Sequence, residues 1–399
     1  GMKIPLLIGG ATTSRVHTAV KIDPFYSGSV VHVLDASKSV PVASNLLYET
    51  KETYIKQVKA DYDKFRDEYN NRKKVKQYIS IEKARENKFK IDWAAYEPTA
   101  PQFLGNKVFE KHDLKEIAEY IDWTPFFQSW DLHGRYPKIL TDEVVGVEAK
   151  KLFADAQEML SQIIDEEWFT AKAVIGFWKS NVENDTQFVY DENGYEVVAK
   201  FEHLRQQGKK AGGVPNLSLA DFVAPISAEK TDYSGGFAVS IFGADEIAKK
   251  YTDALDDYNS IMVKALADRF AEAFTELLHH KVRTEYWGYV SNENLSTEEL
   301  IKEKYHGIRP APGYPACPDH TLKVPLFELL DAEKAIGVEL TESLAMYPAS
   351  SVSGIYYAHP QSKYFGLGKI EKDQVADYIS RKAISQDEAE KWLSPSLNY

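Results

Sequence analysis

The chain reads as α+β: a largely antiparallel sheet with helices gathered in long blocks, preceded by a short α/β stretch. Three observations carry this. In the first fifty residues, apolar runs at 4–8 and 29–34 alternate with segments of helical spacing, an order that belongs to a parallel sheet. Further on, strand-like runs at 186–190 and 195–201 flank Asp191-Glu192-Asn193-Gly194, and Asn-Gly is a strong hairpin signal. Residues 143–168 and 244–285 keep a helical pattern over lengths that no strand reaches.

Taken in order, the run 4–8 ends in Gly9-Gly10, and Thr12, Thr13 and Ser14 can cap a helix over 14–22. The strand at 29–34 leads into a helix over 36–48. Two parallel strands cannot cover both faces of a sheet or build an independent core. Residues 1–49 are therefore expected to be the end of a doubly wound domain. From 50 to about 90 the sequence is densely charged, with scattered Tyr and Ile at helical spacing, which predicts a surface helix acting as a linker. Residues 91–399 form the main domain in this reading. Its expected strands are 173–178, 186–190, 195–201, 237–242 and 364–370. The run 244–285 is long enough to imply a break, with Ile261, Ala265, Phe270, Phe274, Leu277 and Leu278 as its apolar stripe.

Composition narrows the function. A net charge of −12 argues against nucleic acid or an anionic membrane as a general partner. One cysteine excludes an internal disulfide and any multi-cysteine metal site, and suits a reducing cytoplasm. There is no apolar run of about 18 residues. The common fingerprints are missing too: no G-x-x-x-x-G-K-[ST], no G-x-G-x-x-G opening a βαβ unit, no H-E-x-x-H and no G-x-S-x-G. Asp131-Leu132-His133-Gly134 approaches a cobalt-ligating D-x-H-x-x-G, but Tyr136 stands where the glycine belongs. His279 and His280 are neighbours on a helix and point different ways, which does not suit a shared metal.

What remains is one unusual segment and a few single residues. Residues 309–321, R-P-A-P-G-Y-P-A-C-P-D-H-T, hold four prolines and a glycine, which rule out a helix and most of a sheet ladder. Rigid loops are where ligands are commonly read. Arg309 can grip a carboxylate with two parallel hydrogen bonds. Asp122, among aromatics in Tyr120-Ile121-Asp122-Trp123-Thr124-Pro125, can pair with a cation or cap a turn. Tyr356-Tyr357 and Tyr364-Phe365 can stack on a base or fill core. An Arg for a carboxylate, an Asp for an ammonium and an aromatic wall would suit a nucleoside that carries an amino acid.

The same segments resemble cobalamin-dependent methionine synthase over nearly the whole chain. Residues 4–14 (I-P-L-L-I-G-G-A-T-T-S) and 17–21 (H-T-A-V-K) are similar to the end of that family's cobalamin-binding domain. Residues 122–127 (D-W-T-P-F-F), 142–149 (D-E-V-V-G-V-E-A), 220–225 (A-D-F-V-A-P), 262–269 (M-V-K-A-L-A-D-R), 309–320 and 362–365 (S-K-Y-F) are similar to its activation domain, in the same order. The resemblance implies a C-shaped α+β domain with a twisted antiparallel sheet. It also implies S-adenosylmethionine as ligand and reductive methylation of inactive cob(II)alamin, with an electron from a reduced flavoprotein such as flavodoxin. By the same resemblance, Asp122, Arg309, Ala311, Tyr314, Tyr364, Phe365 and Glu272 would contact S-adenosylmethionine. Ala36 would be a cobalamin contact. The family's cobalt-ligating motif does not occur in this sequence, so the chain is expected to bind S-adenosylmethionine but to turn nothing over alone. The competing reading, a freestanding S-adenosylmethionine-binding regulatory protein, fits less well with the α/β stretch at the start.

Overall fold

The computed structural model describes residues 4–9, 14–33, 36–48, 50–72 and 77–399, with the side chains at 36–38 and 68–72 outside that description. The chain divides into two compact units between Gln77 and Tyr78. In the smaller, β1 (Leu6–Gly9) and β2 (Val30–Val33) pair in parallel, Leu6 opposite Val30. The Ser14 hydroxyl accepts from the His17 amide and caps the helical segment between them. Gly10, Thr12 and Thr13 lie outside the described residues. Ala36 opens α1 (Ala36–Leu47), but its side chain, the expected cobalamin contact, also lies outside them.

α2 (Lys51–Arg72) corrects the expected linker. Its Val58 and Tyr62 are buried with Ala19, Val31 and Leu46. The Tyr62 hydroxyl accepts from the His32 amide at 2.8 Å, and Arg66 bonds the Ala19 carbonyl at 2.7 Å and Asp23 at 2.9 Å. A thin stripe at helical spacing (Tyr54, Ile55, Val58, Tyr62, Phe65) is enough to close the small unit although the rest of the helix is polar. The short helix Ile81–Glu86 already belongs to the larger unit, so the boundary falls at Gln77 rather than near 90.

The larger unit is built on an antiparallel sheet. β7 (Asp232–Phe242) lies between β4 (Thr170–Glu183) and β8 (Ser351–Tyr356). On the other side of β4, β3 (Gly105–His112) pairs along its first part. The hairpin of β5 (Thr186–Tyr190) and β6 (Val197–Glu202) joins its last part. Asp191 Oδ1 accepts from the amides of Gly194, Tyr195 and Glu196, which fixes the expected hairpin turn.

Successive side chains of β4 feed two cores, as the two-residue period of a strand requires. Ala171, Ala173, Ile175 and Phe177 pack with α4 (Gly146–Asp165) and α6 (Asp257–Lys281), while Val174, Trp178 and Val182 pack with α7 (Lys323–Leu330). α3 (Thr124–Ser129) adds Phe126 and Phe127 to the first core. The helix expected over 143–168 starts later because Asp142 Oδ1 takes the Val144 and Val145 amides at 2.9 and 3.1 Å. The run 244–285 breaks, as its length implied, into α5 (Ala244–Asp253), α6 and a π turn at Val282–Tyr286. Ile261 leaves the stripe and is half exposed; Met262, Val263 and Leu266 take the buried face with Phe270 and Phe274.

One expected strand is absent. Residues 364–370 make no strand: Gly368 is left-handed at φ 78° and the Leu367 amide turns to the Pro315 carbonyl at 2.8 Å. β3 and β8 were not anticipated, because one carries Lys, Asn and Glu on an edge and the other is Ser- and Gly-rich. Tyr356 and Tyr357 are core residues, fully buried.

A buried ion cluster joins the hairpin to the helices around it. Arg205 pairs with Asp185 and, at 2.7 Å, with Asp221. Asp185 also receives Arg85 at 2.9 Å, and Arg85 reaches Asp377 of α8 (Lys372–Lys382) at 2.7 Å. Removing one partner leaves the others charged and unpaired, which costs more than the pair contributes. Arg205→Ala is expected to lower the unfolding free energy of the chain by about 3–5 kcal/mol, read from the urea midpoint.

Candidate functional site

The proline-rich loop is positioned by the edge of the sheet. Ile308 and Tyr357 exchange both backbone hydrogen bonds at 2.9 Å, and the Pro310 carbonyl accepts from Ile355 at 2.9 Å, so the loop leaves along the end of β8. The amides that proline leaves free are used within the loop: Gly313 to Cys317 at 2.7 Å, Cys317 to Tyr314 at 2.9 Å and Tyr314 to Ala311 at 3.2 Å. Gly313 has φ +98°, and a Cβ there would meet the His320 ring at 2.3 Å, so only glycine fits.

Above this loop lies a cavity of about 780 Å³, a size typical of small-molecule sites. Asp122, Glu272, Arg309, Ala311, Tyr314, Tyr364 and Phe365, drawn from four separate stretches of sequence, all line it. Asp122 Oδ1 accepts from the Thr124 amide at 2.9 Å; it therefore caps a turn and still lines the cavity. Glu272 is on the exposed side of α6, and that side forms the cavity wall. Tyr314 is 61% exposed, its hydroxyl held above the usual phenol range by partial burial and then by Glu272. The Tyr364 hydroxyl accepts from the Arg309 amide at 2.9 Å.

Arg309 is the most constrained group in the site. Its Nη2 bonds Glu276 Oε2 at 2.6 Å, and Nη1 reaches Glu276 Oε1 at 3.4 Å, His279 Nδ1 at 2.8 Å and the Tyr305 hydroxyl at 3.1 Å. The guanidinium also lies 5.6 Å from the centre of the Tyr305 ring. His279 is fully buried, and burial, with Arg283 and Arg309 beside it, keeps its ring neutral and able to accept from Arg309. Glu303, also on the wall, has its carboxyl raised by burial, an effect that Arg309 opposes and Glu276 adds to.

Sequence reasoning missed Glu276, Glu303, Tyr305 and Arg269. Glu276 was within reach of a spacing argument, since it stands four residues after Glu272 and shares its helix face. His279 and His280 do diverge: one faces Arg309, and the other accepts or donates to the Tyr120 hydroxyl at 2.9 Å. Among the described residues no group of three or more His, Cys, Asp or Glu is placed to hold a metal, and no helix is long and apolar enough to cross a membrane.

Fold and cavity together describe an α+β ligand-binding domain whose site sits between one long helix and a rigid loop on a sheet edge. The family model for the activation domain of vitamin B12 dependent methionine synthase matches residues 113–383, and the chain belongs to that family. Among solved structures, it is similar to the MetH reactivation domain crystallised with AdoHcy, at 51% identity and a TM-score of 0.78, over 81% of this chain and 99% of that one. The mixed architecture, with long helices and a twisted antiparallel sheet, is shared with that domain.

Because the Tyr364 hydroxyl accepts from the Arg309 amide, Tyr364→Phe would leave that amide unpaired at the cavity wall. A stability loss of about 1–3 kcal/mol is expected in chemical denaturation.

Proposed function

We propose that the cavity binds S-adenosylmethionine and serves the reactivation of the cobalamin of methionine synthase. The observation that carries this reading is the convergence of all seven expected residues on one cavity whose charge suits the ligand. Its wall carries the carboxylates of Asp122, Glu272, Glu276 and Glu303 against the guanidinium groups of Arg269 and Arg309. An acidic wall with one fixed arginine fits a ligand that has a carboxylate but is cationic overall, through its ammonium and sulfonium groups. The similar MetH domain, bound to AdoHcy, supports the same ligand class.

In this proposal Arg309 takes the ligand carboxylate, Asp122 a cationic or hydroxyl group, and Tyr364 and Phe365 the flat face of the adenine. Ala311 and Tyr314 contribute loop contacts, and Glu272 faces the cationic part of the ligand. Bound S-adenosylmethionine brings an activated methyl on its sulfonium, so the chain needs no general acid or base. Its residues hold and orient the ligand, a proximity effect. The methyl acceptor would be cob(II)alamin reduced by one electron from a flavoprotein such as flavodoxin. Residues 1–49, with α2 packed against them, would belong to the domain that holds the cobalamin. Ala36 is its proposed contact.

Calorimetric titration of the 399-residue chain with S-adenosylmethionine tests the reading directly, and absence of heat at millimolar ligand would overturn it. Arg309→Ala is expected to weaken binding by about 1.5–3 kcal/mol, the range for a charge-assisted hydrogen bond. Unchanged affinity in a folded variant would make Arg309 structural.

A further inference from the structure

We infer that Glu276 is the residue that makes this cavity select a zwitterionic amino-acid tail, by fixing the orientation of Arg309 and by attracting the ammonium group beside the carboxylate. The inference rests on the ligand class proposed above and goes beyond the residues assigned to it there.

The geometry of the guanidinium is the starting point. An arginine presents two forks to carboxylates, one formed by its two terminal nitrogens and one by Nε with Nη2. Glu276 spans the first, with contacts to both terminal nitrogens, and His279 and Tyr305 occupy Nη1 further. Nε donates to no group among the described residues, and it is not among the sealed side-chain atoms left without a partner. The second fork is therefore available to a ligand while Glu276 stays in place. Glu276 need not be displaced for a carboxylate to bind.

Charge then decides what kind of carboxylate. Glu276 lines the cavity beside Arg309, and both side chains are mostly withdrawn from solvent, 14% and 18% exposed. At such burial a unit charge a few ångströms away is weakly screened. A ligand with a bare carboxylate gains Arg309 but is repelled by Glu276. One that carries an ammonium on the adjacent carbon gains both. His279, kept neutral by burial, adds a hydrogen-bond acceptor on Nη1 and no competing charge. The other carboxylates on the wall, Asp122, Glu272 and Glu303, make no hydrogen bond to Arg309. Glu276 alone couples the two halves of the zwitterion.

The test compares Glu276→Gln with the unaltered chain for two probes: S-adenosylmethionine, and a desamino analogue that keeps the carboxylate and sulfonium. The glutamine variant is expected to bind S-adenosylmethionine about tenfold or more weakly and to lose clearly less affinity for the desamino analogue, so that the preference for the ammonium falls. Equal weakening of both would mean that Glu276 merely supports Arg309, and would overturn the inference, as would no change in either. A parallel Glu303→Gln variant that alone lost the preference for the ammonium would overturn it too. Melting curves establish that each variant folds. Should Glu276→Gln not fold, Glu276→Asp carries the same comparison, since it keeps the charge but withdraws it from the fork. Its preference for the amino-bearing ligand should then fall below that of the unaltered chain, and an unchanged preference would count against the inference. Failure of the unaltered chain to bind S-adenosylmethionine is a separate result, which strikes the proposed function itself.

Discussion

The ladder between β4 and β7 is the constraint on which the larger unit depends. It runs unbroken from Thr170 opposite Phe242 to Ser180 opposite Asp232, and both of its faces are covered. A strand buried on both sides has no water to satisfy its amides, so its register cannot slip without stranding polar groups and inverting the side chains. That register sets β8 against β7 and leaves the far edge of β8 to Ile308 and Pro310. The ligand loop thus inherits its position from the most protected part of the sheet. The helix that supplies the opposite wall, α6, is fixed on the same core through Phe270, Phe274 and Leu277.

Against that scaffold the cavity concentrates charge that an apolar core could not hold. Arg309 is held in its charged form, raised above its ordinary value because the attraction of Glu276 and the nearby phenols outweighs the cost of burial. A buried ion pair of this kind adds little to stability, since desolvation cancels most of the attraction. Its effect lies in geometry. Four residues from three segments of the chain hold the guanidinium and its backbone amide, so the ligand meets an arginine whose rotamer freedom is already spent.

How much of this was legible in the sequence follows from how local each signal is. The hairpin was readable because Asp191 and Gly194 carry their turn chemistry within a few residues, and the helix break near 254 because no single helix keeps one face buried so long. α2 was misread as a linker because a stripe of five side chains among many charges is enough for a small core. β3, an exposed edge, has no alternation to detect. In the site, the loop announced itself by its prolines, while Asp122, Tyr364 and Phe365 stood out singly and were tied to one ligand only by likeness to a known family. Glu276 and Tyr305 escaped because what marks them is their contact with Arg309, made across 33 residues in one case and four in the other. Asp122 shows the opposite limit: turn cap and partner of a cation were weighed as alternatives, and the side chain that caps the turn also lines the cavity.

The rigidity of the loop has a second source at its far end. Asp319 accepts from the Thr321 amide at 2.8 Å, from the Tyr378 hydroxyl and, at 2.9 Å, from Lys382, so the last turn of the loop is tied to α8. Gln206 Nε2 donates to the Gly366 carbonyl, and the Leu367 amide to Pro315, which draws the segment bearing Tyr364 and Phe365 onto the same loop. A segment with this few free amides could not be ordered by a ladder of its own, and proline alone fixes φ but not the path of the chain. Anchoring at both ends supplies what the prolines cannot. The ordering entropy of the loop is then met on folding rather than on binding, and ligand affinity is left to the groups that touch it.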